Sequence, residues 1–252
     1  RSSVGADRRE ARQTALRERL SAQGVEALLV QSLPNIRYLT GFTGTSALLL
    51  VRAQESVLIS DFRYATQASR EVGTVARVEI DPLNLWERLR RVLGERPADR
   101  LGFEGHITTV RDRERLEGLG AQGRWESTAE FVEQLRAVKD ADEVSALRAA
   151  AQLAQAALAE VLPTVREGET EFEVAARLEA ALRRRKSEWH PFQTIVASGP
   201  RSALPHARTS HRAIDRGDDP TARRVRGDDV FANLIDLHIE DLGSVRRPLR
   251  RS

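Results

Sequence analysis

Five histidines and a scatter of aspartates and glutamates supply the donor atoms in this chain that can hold a cation or move a proton. His206 follows Pro205 at the end of SGPRSALPHA, a turn rich in small residues. An imidazole there either caps the turn or faces a ligand. Further on, LIDLHIEDL alternates, so in a strand Asp236, His238 and Glu240 share one face and Ile235, Leu237 and Ile239 the other. Such a trio can grip one ion, and it is equally the solvated face of a half-buried strand, which is the favoured reading. His106, His190 and His211 stand in no motif and read as surface histidines. The chain has no cysteine, which excludes disulfides, thiolate metal sites and a cysteine nucleophile.

These groups sit in a chain of ordinary globular composition. Of 252 residues, 40% are hydrophobic and 31% charged, enough apolar matter for a core and too much for a disordered segment. No apolar run approaches the ~18 residues of a membrane span, and the N-terminus has no apolar centre of a secretory leader. A cytoplasmic protein with no membrane partner is expected. The sequence pI of 9.9 rests on arginine, since Lys139 and Lys186 are the only lysines among 40 basic residues. The arginines are spread along the chain among 37 acids rather than gathered in a patch, so no nucleic-acid partner is expected. Methionine is absent, position 1 included, so the residues are a processed product or part of a longer one.

The elements that must position the donors follow from periodicity. Short apolar runs at 25–31, 46–52 and 56–60 read as buried strands, with further strands at 75–80 and 100–105. Helical patterns cover 11–20, 63–71, 85–93 and 108–119. Strands separated by helices imply an α/β layer with partly parallel pairing. Near RAVKDADEV the organisation changes. Asp140 and Glu143 form a capping box ahead of an apolar stripe at Val144, Leu147, Ala151, Ala154, Leu158 and Val161, which Pro163 ends. Thr170 and Glu173 cap a second helix, with Phe172, Ala175, Leu178 and Leu182 expected on its buried face. FQTIVAS, 192–198, is expected to add a strand.

NIRYLTGFTGTSALLLV followed by VLISDFRYATQA resembles the N-terminal domain of Xaa-Pro dipeptidases (prolidases), aminopeptidases P and creatinases. KDADEVSALRAAAQLAQAAL, REGETEFEVAARLEAAL and FQTIVASGPRSALPHA resemble, in the same order, the start of the pita-bread catalytic domain of that family. The resemblance runs over about 6–218. It implies hydrolysis next to proline, in proline-containing dipeptides or peptides. Two divalent metals, often manganese, zinc or cobalt, would lower the pKa of a bridging water and stabilise charge on the scissile carbonyl. By matching motif His206 lies near the substrate and Phe192 near the pocket wall. Asn35, Tyr38 and Phe42 belong to the N-domain signature, a stretch concerned with packing and domain contacts. The resemblance also implies a homodimer.

The resemblance then breaks. The family continues with Asp-x-Gly and a second aspartate eleven residues on, within Ser-Asp-x-Thr-Arg-Thr. Asp218 and Asp229 have that spacing, but Asp218 precedes Asp219 and Pro220, and Asp229 precedes Val230, Phe231 and Ala232. Spacing of this kind arises easily in an aspartate-rich stretch, so neither is taken as a metal ligand. The expectation is an α/β protein of two domains. Residues 8–135 form a mixed sheet flanked by helices, and 139–252 a partial pita-bread-like domain whose tail diverges from about 219. The expected function is that of an Xaa-Pro dipeptidase relative without a complete dinuclear site, weakly active or inactive. The alternative is an active metal-dependent peptidase whose ligands do not align.

Overall fold

Strands that are apolar at every position need cover on both faces, and the computed structural model of the chain provides it. It describes residues 3–82, 84–119, 123–188, 193–216 and 218, with side chains from residue 8 onward. The chain divides into two compact units between Arg136 and Ala137.

The first unit holds six strands: β1 (Ala27–Val30), β2 (Ala47–Arg52), β3 (Ser56–Asp61), β4 (Arg77–Asp81), β5 (Arg100–Glu104) and β6 (Arg124–Thr128). Their order is β4-β3-β2-β1-β5-β6. β2 pairs antiparallel with β1 and β3, whereas β1–β5, β3–β4 and β5–β6 are parallel. The sheet is therefore mixed, as strands interrupted by helices imply.

Alternate residues serve opposite layers. Leu28, Val30, Leu49, Val51 and Leu58 point to one core, which also takes Leu16 and Leu20 from α1 (Ser3–Ala22) and Ile36 and Leu39 from α2 (Leu33–Thr40). Ala68 and Val72 from α3 (Ala65–Val72) and Val132 from α6 (Phe131–Arg136) complete that side. Leu29, Leu50, Val57, Ile59, Leu101 and Phe103 point the other way, onto Leu89 and Val92 of α4 (Leu85–Glu95) and Leu116 of α5 (Val110–Gly118). Each fully buried leucine contributes about 2 kcal/mol of apolar transfer. Gly41 ends α2 in the left-handed region, at φ 81°, where any side chain is strained.

The second unit, over its described residues, is built on α7 (Ala141–Val161) and α8 (Glu171–Arg184). Both begin with the expected capping boxes. Asp140 Oδ1 accepts from Glu143 N (2.9 Å) while Glu143 Oε2 accepts from Asp140 N (3.0 Å). Thr170 N donates to Glu173 Oε2 (2.7 Å), and Glu173 N to Thr170 Oγ1 (3.2 Å). Beyond Val161 the chain makes one 3-10 turn, Leu162–Thr164, around Pro163. Ala157, Val161, Val174, Leu178, Ala181, Leu182 and Ile214 form the core.

Two expectations fail here. Phe172 is not on the buried face of α8: it is 42% exposed and packs against the ring of His211, with centroids 4.7 Å apart. The buried stripe begins instead at Glu171 and continues through Val174, Ala175 and Leu178. Residues 193–198, the described part of FQTIVAS, form no strand. Their ladder groups are taken by side chains: Thr209 Oγ1 donates to Thr194 O (2.7 Å) and accepts from Val196 N (3.0 Å). Among the described residues no helix is long and apolar enough to cross a membrane.

Candidate functional site

The segment from Thr194 to Arg216 is mostly irregular, so side chains must decide its path. The principal one is Glu171, at the first position of α8 and fully buried. A buried carboxylate is costly unless its lone pairs are satisfied, and here both oxygens are. Oε1 accepts from Ser198 N (2.8 Å), Ser198 Oγ (3.0 Å) and Arg201 Nε (3.3 Å). Oε2 accepts from Ser210 N (3.0 Å) and Ser210 Oγ (2.7 Å). Burial alone would push Glu171 up, but the Ser210 and Ser198 hydroxyls and amides outweigh it and hold the acid below its ordinary range.

Between the two serines the chain makes an excursion. A 3-10 segment, Gly199–Ala203, leads to Leu204, and Pro205 and His206 form a turn at its far side. His206 is exposed there, while Ala207 and Thr209 are buried again. The return path is sealed by a short backbone seam. Glu171 N donates to Arg212 O (3.1 Å), Gly168 N to Ile214 O (2.8 Å) and Ile214 N to Glu169 O (2.8 Å). Gly199 stands at φ 54°, and a Cβ there would lie 2.5 Å from Asp218 Oδ1 and 2.8 Å from Arg212 Nη2. The left-handed φ therefore favours glycine where the excursion begins.

Asp218 is engaged by Arg212, whose Nη1 donates to Oδ2; Asp215 N donates to the same oxygen (3.0 Å). The Arg212 hydrogen bond holds Asp218 below the usual carboxylate range. The same guanidinium reaches Asp215 Oδ2 (2.9 Å) and Ser198 Oγ. No three His, Asp or Glu side chains among the described residues gather as a metal-holding cluster. Among the described residues Asp218 is paired with a guanidinium rather than grouped with further metal donors.

The remaining sequence candidates separate. Phe192, His190, Asp229, Asp236, His238 and Glu240 lie outside the described residues. His211 is exposed in the loop against Phe172. In the first unit Asn35 is fully buried, and its Nδ2 donates to Glu104 Oε1 (2.6 Å) and to Glu133 Oε1, while Arg136 Nη1 donates to its Oδ1 (2.8 Å). His106 Nε2 lies 3.1 Å from Glu133 Oε1. Glu104 also accepts from Gln31 N (2.6 Å) and Ser32 N (2.8 Å), and burial pushes its carboxyl up. Asn35 thus ties α2 to β5 and α6. Phe42 is a buried edge-on partner of Tyr64, and Arg12 stacks 4.1 Å over Tyr38. Sequence reasoning missed Glu171 altogether. A glutamate just after a helix cap reads as a surface acid favoured by the helix dipole, and its partners lie 27 and 39 residues away.

The family profile described as Creatinase/Prolidase N-terminal domain matches residues 12–138. That of Metallopeptidase family M24 matches residues 145–221. The chain is 32% identical over 203 residues to the uncharacterized peptidase YqhT of Bacillus subtilis, covering 81% of this chain and 57% of that protein. It is 26% identical to an Xaa-Pro dipeptidase of Pyrococcus furiosus, covering 79% and 56%. Among solved structures, the Xaa-Pro dipeptidase from Bacillus anthracis superposes with a TM-score of 0.78 at 30% identity, over 83% of this chain and 58% of that one. An X-Pro aminopeptidase from Thermotoga maritima gives 0.72 at 28% identity, over 81% and 58%. The chain thus spans a little over half the length of the relatives it matches.

Proposed function

Since the chain belongs to the creatinase/prolidase family, with an M24 metallopeptidase segment after its N-terminal domain, we propose that it is an Xaa-Pro dipeptidase relative that binds proline-containing dipeptides or peptides. His206 is the substrate contact in this reading. The observation that carries it is the held excursion from Ser198 to Ser210, which presents Pro205 and His206 to solvent on a base fixed by Glu171. A neutral imidazole can donate from one ring nitrogen and accept at the other, which suits a peptide carboxylate or amide. Phe192, outside the described residues, is proposed as a second substrate contact on the resemblance alone.

Two divalent ions, manganese, zinc or cobalt, would supply an activated water and a Lewis acid if bound. Among the described residues Asp218 is paired with Arg212 and no three His, Asp or Glu side chains gather, which supports a reading without a complete dinuclear site. The polypeptide of these 252 residues is therefore proposed to bind peptide with little turnover. A homodimer and a cytoplasmic location belong to the same proposal. Calorimetric titration of alanyl-proline into wild type and His206→Ala tests the binding claim. Loss of one hydrogen bond to the ligand weakens affinity about tenfold, or ~1.4 kcal/mol. Equal affinities in the two proteins would remove His206 from the site.

A further inference from the structure

The two oxygens of Glu171 are divided between the two ends of one loop. Oε1 holds Ser198 at the start of the excursion, and Oε2 holds Ser210 at its return. A carboxylate is rigid and planar, so its two oxygens fix the separation of the loop's roots. Between those roots the one imidazole is that of His206, exposed in the Pro205–His206 turn. We infer that Glu171 is a positioning residue, a buried clip that sets where His206 stands when a proline-containing peptide binds. The inference rests on the reading of His206 as the substrate contact.

The chemistry of the clip makes it separable from helix stability. All five polar contacts to the Glu171 carboxylate come from donors. Glutamine keeps the shape but replaces one oxygen with an NH2 group, which faces donors at one root and cannot accept from them. Glu171→Gln should therefore release one root while leaving the helix intact. Glu173, two residues on, closes the capping box and touches neither serine, which makes Glu173→Gln the control for helix stability alone.

The test uses the full chain, reading amide exchange at Ser198 and Ser210 by NMR and alanyl-proline affinity by calorimetry. The expected result for Glu171→Gln is exchange at least tenfold faster at one serine amide or both, with affinity at least tenfold weaker. Glu173→Gln should change neither by more than twofold. A Ser198→Ala, Ser210→Ala double variant keeps the carboxylate and removes both hydroxyl donors. It should give the same two changes, smaller, and serves if the glutamine variant does not fold. Unchanged amide exchange at positions 198 and 210 in both variants would overturn the clip. Faster exchange with unchanged affinity, while His206→Ala still weakens binding, would overturn the positioning role alone. If His206→Ala leaves affinity unchanged, the underlying reading of His206 fails, and exchange at the two serines still decides whether Glu171 holds the loop.

Discussion

Arg212 binds Asp218 through Nη1 and Asp215 through Nη2, so one guanidinium gathers two aspartates of the segment after the His206 loop. Asp218 is the first acid of the eleven-residue pair that the resemblance compared with metal ligands. Arg212→Ala is expected to raise the Asp218 pKa back toward 3.8, its unpaired value. Carboxyl-carbon NMR titration checks this. A depressed folded pKa contributes stability above the unfolded value and loses it as pH falls through the folded one. The wild type should therefore lose a small stabilisation below pH 3.8 that the variant lacks.

Gly199 makes a second, independent demand. Its positive φ strains any L side chain, and a methyl group would also displace the ends of the Asp218 and Arg212 side chains. Gly199→Ala should lower the unfolding free energy by about 1–3 kcal/mol. Urea denaturation should show a lower midpoint with an unchanged slope. A stability equal to wild type would mean that the turn is not held as described.

In the first unit the buried Glu104 predicts a pH effect of opposite sign. Burial raises its folded pKa above the ordinary 4.5. Its contribution is thus fully present below pH 4.5 and declines as pH rises through the raised value. Glu104→Gln should flatten that decline. It should also be less stable at every pH, because its amide faces N–H donors from Gln31, Ser32 or Asn35. Thermal midpoints measured from pH 4 to 8 read both effects.

Asn35 is the neutral bridge between Glu104 and Glu133. Asn35→Asp replaces its donating amide with a third carboxylate. A loss of about 3 kcal/mol at neutral pH is expected. Part of it should be recovered in acid, where the carboxyls protonate. Chemical denaturation at pH 7 and pH 5 makes the comparison.

What could be read from the residues was set by how each buries its side chains. β1, β2 and β3 were legible because strands covered on both faces are apolar throughout, as in ALLV and ALLLVR. The capping boxes at Asp140 and Thr170 were legible because their spacing is local. β6 escaped notice: as an edge strand reading RWEST, it buries only Trp125 and Thr128. α2 escaped because eight residues beginning Leu-Pro offer little periodicity. Hydrophobicity misplaced Phe172, since the slot it should have filled is taken by a glutamate with distant partners. The strand expected over 192–198 failed in its described part for a similar reason, with Thr209 standing in for a neighbouring strand. Resemblance brought His206 into view, but its support on Glu171 is tertiary and had no local signature.

The central proposal is that the loop held by Glu171 binds proline-containing peptide with little turnover. The most direct test incubates the purified 252-residue polypeptide with manganese and alanyl-proline and measures released proline. The prediction is binding by calorimetry with release no faster than in buffer. Manganese-dependent release that a chelator stops and His206→Ala abolishes would contradict it.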